Sequence, residues 1–522
     1  MDIFVGGFGK YMKRVVKVFF SRAIITILLM LIQLFLLLLC IIKLTDSFIY
    51  MYLISIVLGL ILVVYIVSRQ DNPSYKLAWV IPILAFPIFG GLLYFLFGGN
   101  KLGRKLRKKA EPRFQETLNL LKQDESIVEE IRNEDKYVLS QVNYIKNFST
   151  YPIYKNTTTK YLSPGEEFFK KLIEELEKAE HYIFMEYFII HEGFMWDTIL
   201  DILVKKANMG VDVRLIYDDI GCITTLPSKY YEKINKLGIK CKVFNSCSPI
   251  LSAVVNNRDH RKITVIDGHT AFTGGANLAD EYINEIERFG HWKDASIMVK
   301  GEGVWNFTMM FFQVWNFGEE EEIDYMTYKP HFYHNDKFED DGYVQPYADS
   351  PYDGENVGEN IYLNIINKAQ DYVYINTPYL IIDNELVVAL SLAAKGGVDV
   401  IIVTPHIEDK WYAHMVTRAY YAQLIMAGVK IYEYTPGFIH SKTFVADDKV
   451  ATVGTINMDY RSLYLHFECG VFLYKTKSVM EIKEDFLNTL KVCKRISLEE
   501  AKNVTLSNIV IRAILRVFAP LM

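Results

Sequence analysis

Two histidines, two lysines, two aspartates and two asparagines recur in this chain at a single spacing, and that spacing suits chemistry at a phosphate. The first set is His260, Lys262, Asp267, Gly274 and Asn277; the second is His440, Lys442, Asp447, Gly454 and Asn457, 180 positions later. In each set the Lys follows the His by two, the Asp by seven, the Gly by fourteen and the Asn by seventeen. One such pattern would carry little weight. Two with identical internal spacing are not expected by chance. His and Lys at i and i+2 share one side of an extended strand. Residues 263–266 and 443–446 are mostly β-branched or apolar, as a buried strand requires. Each set therefore presents an imidazole beside an ammonium, and a carboxamide arrives from the next strand-turn.

Brought together, the two histidines can divide a displacement at phosphorus. One attacks and becomes a covalent phosphoryl-enzyme. The other protonates the leaving oxygen and then takes the proton of the incoming alcohol. Lys262, Lys442, Asn277 and Asn457 would hold and neutralise the non-bridging oxygens. The residues alone do not say which His attacks, because the copies are symmetric. The reaction requires no metal or cofactor, and the cysteine and acid spacings suggest no metal site. A catalytic His also needs a carboxylate on its other nitrogen. Asp267 and Asp447 fall past the strand, on the opposite face. Asp294 and Glu468 are better placed: they follow Asn277 and Asn457 by 17 and 11 residues, and each precedes an apolar strand. Glu186 and Asn376 occupy matched positions and are candidates to line the pocket. The remaining histidines, His466 among them, have no duplicate and read as structural.

The elements that must position these groups are themselves duplicated. Ala179-Glu-His-Tyr-Ile-Phe recurs as Ala369-Gln-Asp-Tyr-Val-Tyr, Gly210-Val-Asp-Val as Gly397-Val-Asp-Val, and Leu237-Gly-Ile-Lys as Ala427-Gly-Val-Lys. From Ser163, read as a capping box with Pro164 at the first helical position, helices and strands alternate. Strands are predicted at 182–190, 211–217 and 239–244, with helices near 196–208 and 226–237. The fold class this predicts is α/β: a mixed sheet flanked by helices in each half. The halves are 151–330 and 331–500, joined through an acidic, loop-like stretch near 325–342.

The chain has 522 residues, a net charge of −5 and 51% hydrophobic residues. The acidic balance argues against a nucleic-acid partner. Six scattered cysteines form no Cys-x-x-Cys pair, which fits a reducing compartment. The apolar excess lies in a membrane-anchor region, residues 1–98. Runs at 23–42 and 48–67 are long enough to span a bilayer, which takes about 20 residues. The run at 77–97 contains Pro82, Pro87 and Gly90-Gly91 and precedes a basic linker, 99–150. The positive-inside rule favours a re-entrant third segment, which keeps the basic flanks and the catalytic halves on the cytoplasmic side. The basic block suits anionic headgroups. Residues 501–522 form an amphipathic helix, suited equally to a core or to a bilayer surface.

The paired sets resemble those of the phospholipase D superfamily over roughly residues 150 to 500. The resemblance implies that the halves meet face to face on one site. It makes His260 the nucleophile and His440 the acid and base, counts Lys262, Asp267, Lys442 and Asp447 with the catalytic set although the Asp is mostly structural there, and places orienting acids near Asp294 and Glu468. Asn72-Pro-Ser-Tyr-Lys-Leu-Ala-Trp79, Leu93-Tyr-Phe-Leu-Phe-Gly98 and Asn457-Met-Asp-Tyr-Arg-Ser462 are similar to the bacterial cardiolipin synthase branch. That branch implies an integral membrane protein of the bacterial plasma membrane that acts on phosphatidylglycerol. Phosphatidyl transfer between two such lipids, through a phosphohistidine, gives cardiolipin and glycerol. A membrane-bound phospholipase D that uses water, a transferase for another alcohol and an idle lipid-binding scaffold are the alternatives. The branch usually carries two spans, so the additional run at 23–42 departs from it.

Overall fold

The computed structural model describes residue 35 and residues 48–98, 114–245, 257–316, 323–333, 337–351 and 354–521. Apart from Phe35, the expected first span lies outside the described residues. So do the basic block 101–113 and the acidic run Glu319–Glu322.

Two mixed sheets carry the chain. The first half supplies β1 (Thr157–Leu162), β2 (Tyr182–Tyr187), β3 (Asp212–Asp218), β4 (Lys240–Phe244), β5 (Lys262–Ile266), β6 (Thr270–Gly274), β7 (His291–Lys293) and β8 (Ser296–Gly301), of which β7 lies outside the two sheets. The second half supplies β9 (Tyr343–Asp349), β10 (Tyr372–Asn376), β11 (Leu380–Ile381), β12 (Asp399–Pro405), β13 (Lys430–Tyr434), β14 (Gly437–Ile439), β15 (Thr443–Ala446), β16 (Val450–Gly454), β17 (Met458–Asp459), β18 (Glu468–Tyr474) and β19 (Cys493–Arg495). The first sheet has the order β1-β8-β6-β5-β2-β3-β4, and the second β9-β18-β16-β15-β10-β12-β13-β19. Strand for strand these are one topology, with β19 added at an edge. In both, the three strands ending at β4 or β13 pair in parallel and the rest pair antiparallel.

Mostly apolar side chains, aromatic in β2 and β-branched in β5, fill both faces of the central strands, so β2, β5 and β15 are buried along their whole length. Helix Val304–Trp315 is buried on every side and packs on β2, β5 and β9, so it belongs to both halves. Two details differ from the sequence reading. Strand β2 stops at Tyr187, and the helix expected at 226–237 is confined to Tyr230–Lys236. The helix at Gly165–Leu176 has Pro164 at its N-cap and no side-chain cap bond; the Ser163 hydroxyl instead donates to the Asp294 carbonyl at 3.2 Å.

At the N-terminal end, α1 (Phe48–Ser68), α2 (Pro73–Ala85) and α3 (Pro87–Phe97) pack together. Among the described residues no helix is long and apolar enough to cross a membrane. The longest apolar helix, α1, coincides with the expected second span, and its described side chains begin at Leu53. The run at 77–97 is not one helix. Pro87 cannot continue the α2 hydrogen-bond ladder and pushes Phe86 out of helical conformation, to φ −139° and ψ 77°. The chain then turns back, so that Trp79 and Tyr94 meet edge-on at 5.4 Å. Gly90 makes this return possible: a Cβ there would sit 2.5 Å from the Pro82 carbonyl oxygen. Leu53, Ile54, Val57, Ile61 and Val64 of α1, with Leu77 and Leu84 of α2, are exposed. Asn72 caps α2 and donates from Nδ2 to the Tyr464 hydroxyl at 2.8 Å and to Asp383 at 3.1 Å, which ties this hairpin to the second half. The C-terminal helix, Leu506–Phe518, packs on α2 and on helix Trp411–Met426, yet has no fully buried residue.

Candidate active site

Each histidine sits at the mouth of its strand, and its backbone is tied to the opposite half. The His260 N–H donates to the Phe467 carbonyl at 2.9 Å, and the Phe467 N–H returns a bond to the Arg258 carbonyl at 2.9 Å. The His440 N–H donates to the Lys293 carbonyl at 2.8 Å, where β14 runs parallel to β7. The residue after each acceptor is an acid. The zipper therefore sets Glu468 against His260 and Asp294 against His440. His260 Nδ1 lies 2.8 and 3.0 Å from the two Glu468 oxygens, and His440 Nδ1 lies 2.8 Å from Asp294 Oδ2. The orienting acids are thus exchanged between halves.

The position after the motif glycine is adapted to each acid. A Cβ at Gly275 would lie 2.0 Å from Asp294 Oδ1, so only glycine leaves that carboxylate its place. The equivalent Thr455 instead donates its hydroxyl to Glu468. Both lysines fold back beside their own histidine: Lys262 Nζ donates to the His260 carbonyl at 2.5 Å, and Lys442 Nζ lies 2.9 Å from His440 Nδ1. This agrees with the shared strand face read from the i, i+2 spacing.

Both histidines open onto one cleft of about 780 Å³, lined also by Asn277, Asn457, Tyr282, Trp292, Tyr379, Phe188 and Phe438. Phe188 meets the His260 ring edge-on at 5.0 Å, and Trp292 lies 5.2 Å from the His440 ring. These aromatics keep water off the rings and make burial the leading electrostatic influence. Burial and the neighbouring Lys262 hold His260 well below the usual imidazole range. Burial and Lys442 lower His440 to about 4, against the pull of Asp294. Burial brings Lys262 down to about 8 and Lys442 to about 7. Burial pushes Glu468 up to about 8, with Lys262 opposing. For Asp294 burial is outweighed by His440 and Lys442, and its carboxyl lies below the ordinary value. Both rings are therefore neutral near pH 7.

The other expected residues divide clearly. Asp267 accepts the backbone N–H groups of Glu180, His181 and Tyr182, each at 2.8 Å, and Asp447 does the same for Gln370, Asp371 and Tyr372 at 2.7 to 2.9 Å. Both occupy left-handed conformations, φ 49° and 54°, at the turn beyond the strand. They stand away from the cleft and brace the starts of β2 and β10, the structural part the family's Asp mostly plays. Asn277 is largely committed: its Oδ1 accepts from Ile189 N at 2.9 Å and its Nδ2 donates to Tyr282 at 2.8 Å. Asn457 keeps an unpartnered, buried Oδ1. Glu186 and Asn376 do not line the cleft. Glu186 pairs with Arg261 at 2.7 Å inside the sheet packing, and Asn376 donates to Thr443 at 3.1 Å.

Sequence reasoning missed His466, Arg258, Lys410 and Arg461, all of which line the cleft. His466 was read as structural because it has no duplicate. Its place two residues before Glu468, on the same side of an extended chain, was the available signal. Nitrogens of His260 and His466 and an oxygen of Glu468 come within 4.8 Å of one another, a grouping that could hold a metal ion. The surrounding lysines and arginines oppose a cation there.

Comparison with known proteins agrees with this architecture. The family model described as cardiolipin synthase, PLD-like domain, matches residues 172–288 and 362–490, and the phospholipase D-nuclease N-terminal model matches residues 57–99. A cardiolipin synthase of Geobacillus sp. (strain WCH70) is 34% identical over 89% of this chain and 92% of its own length. Cardiolipin synthase 2 of Bacillus anthracis is 33% identical over 88% and 89%. An uncharacterized protein of Streptococcus mutans serotype c is 44% identical over 88% of this chain and 99% of its own length. Among solved structures, phosphatidylserine synthase of Haemophilus influenzae Rd KW20 shares the fold, with a TM-score of 0.55 at 14% identity over 73% of this chain and 97% of that one. With 33–34% identity to cardiolipin synthases over nearly nine-tenths of the chain, and with both family models matching, this chain belongs to the cardiolipin synthase family.

Proposed function

We propose that the protein is a cardiolipin synthase that transfers a phosphatidyl group from one phosphatidylglycerol to another. The observation that carries this reading is the crossed pairing: two imidazoles, each held through Nδ1 by the other half's acid, face one cleft between two lysines. His260 Nε2 attacks the phosphorus of the first lipid. A P–N bond forms, the P–O bond to glycerol breaks, and His440 gives its proton to the departing glycerol oxygen. The hydroxyl of the second lipid then attacks phosphorus, the P–N bond breaks, and the hydroxyl proton passes to His440. One phosphodiester replaces another, so no nucleotide is consumed.

Before the lipid binds, His440 is neutral near pH 7. The bound phosphodiester supplies the negative charge that raises it into the protonated form needed for the first step. Lys262, Lys442 and Asn457 hold the non-bridging oxygens, and Asn277 stiffens the wall beside them. The aromatic lining favours an alcohol over water in the second step.

The same reading gives the chain its layout. Residues 1–98 anchor it in the bacterial plasma membrane, 99–150 form a basic juxtamembrane linker, 151–330 and 331–500 are the two catalytic halves, and 501–522 lie along the bilayer surface. The α2–α3 turn enters the bilayer and returns beside α1, so that the basic flanks and the catalytic halves share the cytoplasmic side. The exposed apolar faces of α1 and α2 support this placement.

Purified full-length protein incubated with phosphatidylglycerol should yield cardiolipin and glycerol in equal amounts. Phosphatidic acid without cardiolipin would make it a hydrolase instead.

A further inference from the structure

Arg461 and Lys410 carry full charges into the cleft that no described carboxylate neutralises. Arg461 follows Asn457 by four residues, on the short helix Tyr460–Tyr464. Its guanidinium has no hydrogen bond or ion pair within the described residues, although Asp459 stands near enough to be felt. The Lys410 ammonium lies over the Tyr379 ring at 5.5 Å, without an acidic partner. Beside them His466 is 9% exposed, and neither of its ring nitrogens has a hydrogen-bond partner. Its ring lies 5.6 Å from that of His260. The other lining charges are engaged. Arg258 pairs with Asp218 at 3.3 Å and Arg288 with Glu281 at 2.7 Å; Asp459 accepts from Ser462 N, and Asp409 holds the Tyr379 hydroxyl. The buried, unpartnered His466 nitrogens are costly unless a ligand completes them, and half-buried Arg461 with Lys410 exposed at the rim bring the positive charge that an anion would meet there.

The proposed reaction supplies that anion. The donor's phosphodiester occupies the ground between Lys262 and Lys442. An acceptor phosphatidylglycerol must bring a second phosphodiester, one glycerol bridge away, into the same cleft. Water or free glycerol brings none. We propose that Arg461, Lys410 and His466 form a second phosphate subsite, which holds the phosphodiester of the acceptor lipid while its terminal hydroxyl faces the phosphoryl group on His260. Resting on the phosphatidyl-transfer reading, this subsite explains how the cleft selects an anionic lipid as acceptor.

The test compares two acceptors of one phosphoryl-enzyme. Full-length protein in mixed micelles of phosphatidylglycerol and neutral detergent is assayed for cardiolipin formation and, separately, for exchange of labelled free glycerol into phosphatidylglycerol. Exchange uses the donor site with an uncharged acceptor, and it reports folding at the same time. Arg461→Gln and Lys410→Gln should each lower the ratio of cardiolipin formation to exchange by about tenfold or more, the loss of one or two charge-assisted hydrogen bonds. Arg461→Lys should recover part of it, and His466→Asn should move the ratio in the same direction. If the wild-type protein makes cardiolipin and both rates fall in step in the variants, or the ratio does not move, the subsite is wrong. A site serving free phosphate would also leave the ratio unmoved. A wild-type protein that exchanges glycerol but never forms cardiolipin would overturn the transfer reading itself.

Discussion

Replacing Asp294 by Asn tests the exchange of acids between halves. The side chain is fully buried and accepts from His440 Nδ1 at 2.8 Å, from Ala295 N at 2.8 Å and from the Trp292 indole at 3.3 Å. Asparagine has the same shape, so the tight fit against Gly275 is kept. If its carbonyl stays on Ala295 N, its amide faces His440 Nδ1 and donates. The ring proton is then forced onto Nε2, and His440 can no longer accept the proton of the acceptor alcohol. A lost hydrogen bond to a charged group is worth about 1.5–3 kcal/mol, or roughly 10- to 150-fold in rate. An inverted tautomer raises the loss toward about 10⁴-fold, the size seen for the equivalent Asp→Asn change in a serine-protease triad. Cardiolipin formation by purified Asp294→Asn protein should therefore fall by about 10² to 10⁴ at unchanged thermal stability. In a His440→Gln background the same substitution should cost under about threefold, because no ring remains to orient. A loss below tenfold in the wild-type background, or an undiminished one beside His440→Gln, would refute the pairing.

Four further outcomes follow from the geometry. Lys442 and Lys262, lowered to about 7 and about 8, are charged only below those values, so oxyanion affinity measured by calorimetry should weaken as pH rises from 7 to 8; Lys442→Arg, which cannot lose its charge, should bind with less dependence on pH. Glu468, raised to about 8, gains its charge over the range in which the lysines lose theirs, so Glu468→Gln should make kcat/KM fall more steeply between pH 7 and 9; an unchanged profile would remove Glu468 from the account. Asp267→Ala removes three backbone hydrogen bonds and should cost about 2–4 kcal/mol in denaturant unfolding, with the turnover of the folded fraction kept; lost turnover at full stability would return Asp267 to the catalytic set. Gly90→Val would press a Cβ against the Pro82 carbonyl and should cost about 1–3 kcal/mol by overpacking; an unchanged melting temperature would mean that the α2–α3 return is wrong.

The duplicated sheets were legible in the sequence because both halves repeat the same local words: Gly210-Val211-Asp212-Val213 and Gly397-Val398-Asp399-Val400 start equivalent strands, β3 and β12. The His-Lys pairs were legible because an i, i+2 relation is fixed by strand geometry. Asp294 and Glu468 could be named as orienting acids, but their exchange could not. It depends on two long-range backbone bonds, His260 to Phe467 and His440 to Lys293, which leave no local signature. His466 and Arg461 were passed over for a related reason. Neither is duplicated, and their value lies in what they fail to pair with, which only packing reveals. The run at 77–97 read as one broken apolar segment; Pro87 marks the break, while Gly90 sets how closely the return helix packs.

The central claim is that both motifs grip one phosphoryl group. An experimental structure of the protein soaked with tungstate measures this directly. The account predicts a single oxyanion per chain within hydrogen-bonding distance, about 3 Å, of Nε2 of both His260 and His440. Two oxyanions in separate clefts, each touching one histidine, would contradict it.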